Sequence, residues 1–421
     1  MLVATITKVP SEMTGIIFHE WTAHFLLPTM LRRVKPIIIF CAVLLSFLLT
    51  YSSNRLALRP WRKAAGRHWS EHARLLFPVR RAAAANVWVL PAVLSLGAWL
   101  ALPEKSPHWS LVMLSSLAGC IAGTLPLDRA MFPRIPMREL LRHCAVSWIA
   151  QFLTWGVFIT ATTLMPDVFD SRAALITLAV LLLLFFWSKS GALGLYRLFG
   201  LCSPAPERLM RIVRDTAGKM GAGYRDVWLL RSPFANAFAV PASGRLLFSE
   251  RLLDVLGDAE ISAICAHELA HLTEKRSDYL LRYLAWLTFL PWIFLHPLLH
   301  RFDEGGFFLL MALTILVPKA LRGLSQKLEK RADGIAQAHE TEPGVYAGAL
   351  ARIYEDGLLP AVNSRKTASH PDLYDRMEAA GITPDFPRPA RPVNMAWHGR
   401  IFAGALGFVA MLSILKYLHK L

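Results

Sequence analysis

A chain of 421 residues in which 54% are hydrophobic and 18% charged, with a mean hydropathy of +0.39, is too apolar for an ordinary soluble enzyme and reads as a membrane protein. Its formal charge of +16 would suit a nucleic-acid binder. The basic residues lie mainly in loops between apolar runs, however, as the positive-inside rule expects, and this excludes nucleic acid as a partner.

Apolar runs long enough to cross a bilayer fall at about 36–52, 86–103, 109–127, 144–165 and 173–188, with further runs at about 279–299, 306–320 and 397–415, roughly eight spans in all. Pro291, Pro297 and Pro318 disturb the sixth and seventh of these. The loop 53–85 carries eight arginine and lysine residues, from Arg55 to Arg81, against the single acid Glu71, which makes it cytoplasmic and a candidate contact for anionic lipid. Alternation from there places everything after Lys189 on the cytosolic side, although it leaves Arg32, Arg33 and Lys35 outside. The five cysteines, Cys41, Cys120, Cys144, Cys202 and Cys265, have no thiolate-knuckle spacing and read as small buried hydrophobes.

Between the fifth and sixth runs the chain turns soluble in character. In "PERLMRIVRDTAGKMG", Leu209, Ile212, Val213, Ala217 and Met220 recur at helical spacing before a glycine stop at Gly221. "VWLL", "NAFAV" and "RLLFS" read as strands, the last two joined as a hairpin through Pro241 to Gly244. Asp258 is the expected N-cap of a helix carrying "CAHELAHLTEKRSD", with Ile261, Ile264 and Leu272 on its apolar side. The predicted organisation is an N-terminal segment (1–35), a five-span region (36–188), a catalytic part (189–278), a two-span hairpin (279–320), a second catalytic part (321–396) and a last span (397–421). The fold class expected is mainly α, multi-pass, with a zincin-like α+β catalytic domain.

The motif at Cys265 carries the chemistry. His267 and His271, four residues apart, share one face of a helix, and Glu268 follows the first histidine. Neutral imidazoles suit Zn²⁺, whose catalytic sites keep three protein ligands and a fourth position for water, so the histidines are expected as ligands and Glu268 as general base. Chance would supply roughly 0.03 such motifs in a chain of this composition. "HEWTAH" at His19 has its second histidine at i+5, and "HPLLH" at His296 contains Pro297 and no adjacent carboxylate, so neither competes. A third ligand has to come from elsewhere. Glu329 and Asp333, at i and i+4 in "SQKLEKRAD", form one candidate pair, a ligand with a carboxylate steadying a ligand imidazole. Glu274 and Asp278 are also within helical reach, with Glu274 expected to meet Lys275 or water.

Taken together, "PFANAFAV", "CAHELAHL", "SQKLEKRAD" and "SHPDLYDR" resemble the membrane zinc metallopeptidases that include HtpX and the type 1 CAAX prenyl proteases, gluzincins with an HExxH helix. The resemblance implies one zinc ion per chain held by His267, His271 and Glu329, with Glu268 as base and Asp333 behind a ligand histidine. It also implies catalytic roles for His370 and Arg376, at the oxyanion and the substrate, and a peptide-binding strand at Asn236 and Ala237. The layout of spans is closer to the CAAX proteases. Gln326, Lys330 and Arg331 depart from the pattern, and an extra span follows the catalytic part.

These readings converge on a membrane zinc endopeptidase acting on membrane-associated or misfolded proteins, with membrane lipid and a peptide or protein substrate as its partners. Narrower processing of prenylated tails is one alternative, and a zinc-binding transporter or scaffold without activity is another. The bacterial inner membrane with a cytosol-facing site is the expected location, with the endoplasmic reticulum as the alternative. The near absence of charge within the five early spans favours the peptidase over the transporter.

Overall fold

A computed structural model of the chain describes residues 27–101, 108–278, 280–281, 287–364 and 371–418. Six helices among the described residues are long and apolar enough to cross a membrane: Pro36–Lys63, Trp69–Ala101, Leu111–Met131, Met137–Leu164, Ser171–Lys189 and Glu304–Ala338. The protein is therefore a mainly α, multi-pass membrane protein with a small sheet. The chain divides into two compact units, one of residues 1–63, 78–132 and 395–421 and the other of residues 64–77 and 133–394.

In the first unit, helices α1 (Leu27–Ala57) and α3 (His108–Met131) run side by side in the same direction. Gly119 faces Ser46 and Gly123 faces Thr50, so the register advances equally along both helices. A Cβ on Gly123 would stand 2.9 Å from both the Phe47 carbonyl oxygen and the Thr50 Cβ, which is why the contact needs glycine. Helix α2 (Trp69–Ala101), from Pro78 onward, pairs with α14 (Trp397–Leu418). The Ala396 N–H donates to the Pro78 carbonyl at 3.0 Å, and Lys416 Nζ reaches the Leu100 carbonyl at 3.1 Å. These two helices are thus parallel as well.

The second unit begins its long helices with α4 (Met137–Leu164) and α5 (Ser171–Phe186), the latter capped by Asp170, whose side chain accepts the Ala173 N–H at 3.0 Å. Ala161, Ala173, Val180 and Leu184 join these helices with Ile293 in one apolar cluster. A π-helical turn, Trp187–Gly191, leads into α6 (Ala192–Leu198). The described part of the expected span 279–299 forms a 3-10 turn (Leu287–Phe294) and an eight-residue helix, α10 (Leu295–Phe302). No membrane-length helix occurs there among the described residues; Pro291 lies inside the 3-10 turn, and Pro297 sits in the first turn of α10, where its missing N–H is tolerated. Residues 306–320 instead open a single 35-residue helix, α11 (Glu304–Ala338), which continues through Pro318 and carries Glu329 and Asp333. The expected boundary at 320 therefore falls inside a helix.

The sheet has β1 (Cys202–Pro204), β2 (Asp226–Leu230), β3 (Ala237–Val240) and β4 (Arg245–Ser249) in the order β1-β2-β4-β3. β1 pairs antiparallel with β2, β2 parallel with β4, and β3 antiparallel with β4, with Ala237 opposite Phe248 and Ala239 opposite Leu246. β3 is thus an edge strand. Leu246 and Phe248 face the catalytic core with Ala237 and Ala239, whereas Leu247 and Val240 face Leu193 and Tyr196 on the other side.

Helix α7 (Glu207–Met220) buries Leu209, Ile212, Val213 and Ala217 as its periodicity predicts. It ends on Gly221 at φ +60°, a conformation that glycine adopts without a Cβ clash. After α8 (Glu250–Val255), helix α9 (Asp258–Leu272) starts one residue earlier than expected. Its N-cap is Gly257, whose N–H donates to the Glu260 carboxylate at 2.9 Å, and Asp258 instead pairs with Arg208 at 2.6 Å. Helices α12 (Val345–Asp356) and α13 (Leu373–Ala379) complete the core around Tyr346, Leu350, Leu373 and Met377.

Candidate active site

The heptad-free apolar face of α9 explains the position of its histidines. Ile261, Ile264, Cys265 and Leu269 are buried, and the helix is so deeply packed that His267, Glu268 and His271 are each only 8% exposed. Polar groups at that depth need partners. Their partners come from α11, α12, the edge strand and Glu274 just past the end of α9.

His267 Nε2 and His271 Nε2 face one another at 3.3 Å. Glu329, 6% exposed on α11, places its carboxylate oxygens 3.7 Å from His267 Nε2 and 3.8 Å from His271 Nε2. One donor atom from each of the three residues lies within 4.8 Å of the others. Tetrahedral ligands with zinc bonds of about 2.0–2.1 Å stand roughly 3.3–3.4 Å apart, so two imidazoles and a carboxylate at these separations fit a zinc ion without rearrangement of the helices. His271 also has its pKa raised: burial opposes the cation, and the Glu274, Glu268 and Glu329 carboxylates outweigh it. The site is electrostatically arranged to receive positive charge.

Each histidine is oriented from behind. His271 Nδ1 lies 2.6 Å from Glu274, whose side chain is almost wholly buried. Glu274 thus meets His271 rather than Lys275 or water, contrary to expectation. On the other ring, the Tyr346 hydroxyl lies 2.7 Å from His267 Nδ1 and donates to Asp333 at 2.7 Å. Asp333 itself is 3.2 Å from His267 Nδ1. With both Nδ1 atoms facing acceptors, both Nε2 lone pairs point into the site.

Arg376, 8% exposed, donates to Asp333 at 2.9 and 2.5 Å and to the Tyr346 oxygen at 2.7 Å. Burial alone would lower its pKa, but Tyr346 and Asp333 raise it, so the guanidinium stays charged. Burial, aided by Asp333 and opposed by Arg376, also keeps the Tyr346 hydroxyl protonated. Arg376 therefore sits behind His267 in a Tyr-Asp-Arg network, and its described contacts do not include the substrate side of the histidines. His370 lies outside the described residues.

Glu268 accepts the Ala239 N–H at 2.7 Å. In the β3–β4 pairing, Asn236 spends its main chain on β4: its N–H donates to the Ser249 hydroxyl and its carbonyl accepts the Ser249 N–H, both at 2.9 Å. By the alternation of an antiparallel pair, Ala237 and Ala239 present their main-chain groups to the free edge instead. Of the two residues expected to bind a peptide backbone, Ala237 lies on that edge and Asn236 does not.

Sequence reasoning passed over Tyr346, and nothing in its spacing marks it. Arg331, noted only as a departure from the family pattern, donates to the Ala270 carbonyl and the Thr273 hydroxyl, each at 3.0 Å. It caps the C-terminal end of the helix that holds both histidines.

An apolar multi-pass protein whose α+β part joins an HExxH helix to a glutamate from a second helix has the architecture of a membrane metallopeptidase. Residues 205–382 match the model of peptidase family M48. A "Protease HtpX homolog" of Picrophilus torridus is 27% identical over 182 residues, covering 40% of this chain and 59% of that protein. Another "Protease HtpX homolog", of Pelotomaculum thermopropionicum, is 29% identical over 104 residues, 24% of this chain and 37% of that protein. The chain thus matches less than two thirds of either relative's length.

Proposed function

We propose that the protein is a membrane zinc endopeptidase that hydrolyses peptide bonds in membrane-associated or misfolded proteins. The observation that carries this reading is the convergence of His267, His271 and Glu329 beside Glu268 at the open edge of β3. A zinc ion held by the three ligands supplies the Lewis acidity that polarises a carbonyl and acidifies a water. Glu268 takes the proton from the attacking water and returns it to the leaving amine. Its hydrogen bond to Ala239 keeps the carboxylate beside the strand on which an extended substrate would lie. The substrate pairs through main-chain bonds with Ala237 and with the carbonyl of Ala239, whose N–H is taken by Glu268, an arrangement that accepts varied side chains. His370 serves as the donor to the developing oxyanion. Arg376, Asp333 and Tyr346 hold His267, and Glu274 holds His271. The site faces the cytosol, and the bacterial inner membrane is the proposed location.

The test is cleavage of an unfolded reporter protein by the detergent-purified, zinc-loaded chain beside Glu268→Gln. The variant should bind zinc and cut at least about 100-fold more slowly. Equal rates in both would overturn the mechanism. A prenylated peptide cut in preference to the unfolded protein would narrow the substrate to lipidated tails.

A further inference from the structure

The side of the sheet turned away from α9 holds a cavity of about 340 Å³. Its floor is Asn236, Phe238 and Val240 of the edge strand, and its opposite wall includes Trp187, Ala192 and Tyr196. The π-helical turn Trp187–Gly191 contributes to this wall, and such turns recur at functional sites. His143, also in the lining, has a buried Nδ1 with no hydrogen-bond partner. A buried ring nitrogen without a partner marks a pocket that something else completes.

The alternation of β3 connects this cavity to the proposed chemistry. Ala237 and Ala239 pack on the catalytic core, while the side chains at 236, 238 and 240 line the cavity. A peptide added to the free edge continues the same pleat. Its residue opposite Phe238 must project its side chain to the Phe238 face, because cross-strand neighbours share a face. Phe238 is itself 39% exposed, so the cavity and the edge meet at this residue.

Resting on the peptidase reading above, we propose that this cavity is a substrate side-chain pocket selecting a large apolar or aromatic residue near the scissile bond. Its volume lies at the lower end of ordinary ligand pockets, which suits one bulky side chain rather than a folded domain. The alternate residues of the substrate fall on the α9 face, the side on which Ala237 and Ala239 pack.

The zinc-loaded full chain is used to digest a set of denatured proteins, and the cut positions are read by mass spectrometry. One position within a few residues of the cut should favour Phe, Leu, Met or Trp over Gly and Ala by about tenfold, the scale of discrimination that an apolar pocket delivers. Ala192→Phe, which fills the cavity, should reduce that preference to less than about twofold. Phe238→Ala, on the half-exposed edge, should shift it toward Trp, and this variant keeps the test open if Ala192→Phe does not fold. A peptide carrying Phe at that position should also bind Glu268→Gln more tightly than its Gly counterpart by fluorescence anisotropy. A flat profile, or one unchanged in both variants, with cuts that vanish in Glu268→Gln, would overturn the pocket and leave the peptidase standing. No Glu268-dependent cut from any protein would overturn both.

Discussion

The Tyr346 hydroxyl stands 2.7 Å from His267 Nδ1, joining a histidine of α9 to a residue 79 positions further along the chain. It accepts from Arg376 and donates to Asp333, so one buried oxygen ties three elements to the orientation of one imidazole. Tyr346→Phe removes only that oxygen. Outer-shell partners of metal ligands typically contribute about 10–100-fold in affinity. Because Asp333 is within 3.2 Å of the same nitrogen and can take over part of the role, the expected loss in zinc affinity is about tenfold. Competition with a chromogenic chelator measures it, and an unchanged affinity would show that Tyr346 serves packing alone.

Glu274 makes the corresponding contact to His271, and among the described residues no second carboxylate lies beside Nδ1. Glu274→Ala should therefore weaken zinc binding by more than Tyr346→Phe does, by up to about 100-fold. Glu274→Gln, which keeps an acceptor, should recover most of it. Recovery by glutamine separates an orienting hydrogen bond from a purely electrostatic effect.

Arg331 bonds Ala270 and Thr273 at the end of α9. Replacement by alanine uncaps those groups and should cost about 1–2 kcal/mol of stability, since the side chain is partly exposed and water restores part of the bonding. Thermal unfolding in detergent would show a midpoint lower by a few degrees. A zinc affinity that fell as far as in Glu274→Ala would mean that Arg331 acts on the ligands and not only on the helix end.

Zinc removal should destabilise the protein, because the three residues that would ligate it lie on two separate helices that a bound ion would hold together. At a free zinc concentration 1,000 times the dissociation constant, the bound form gains about 4 kcal/mol. Chelation should lower the unfolding midpoint and re-addition restore it. Glu329→Gln should show a much smaller zinc-dependent shift than the parent chain, and an equal shift would exclude Glu329 as a ligand.

Much of this site is local in the sequence. The i,i+4 spacing of His267 and His271, the adjacent Glu268, and the i,i+4 pair Glu329 and Asp333 are properties of helices, whose 3.6-residue period places such residues on one face wherever the helix lies. The apolar runs and the glycine stop at Gly221 were legible for the same reason. The strand hairpin was legible too, but its neighbours were not. β2 lies parallel to β4 and β1 pairs with β2 across an intervening helix, contacts between segments that carry no mark of one another.

The three prolines differ in effect. Pro291 lies in a 3-10 turn and Pro297 in the first turn of a short helix, where no helical hydrogen bond is lost, whereas Pro318 lies inside a 35-residue helix that continues past it. Whether the helix survives depends on the packing around it.

The sequence by itself determined that this is an apolar, membrane-crossing chain with an HExxH helix, because hydropathy and helical periodicity are written in neighbouring residues. Only the tertiary structure decided that Glu329 meets the two histidines, that Tyr346 and Arg376 stand behind one of them, and that Ala237 rather than Asn236 offers its backbone to the free edge. Those relations join residues tens of positions apart, and the direction of a side chain or a peptide group across such a distance is set by how helices and strands pack.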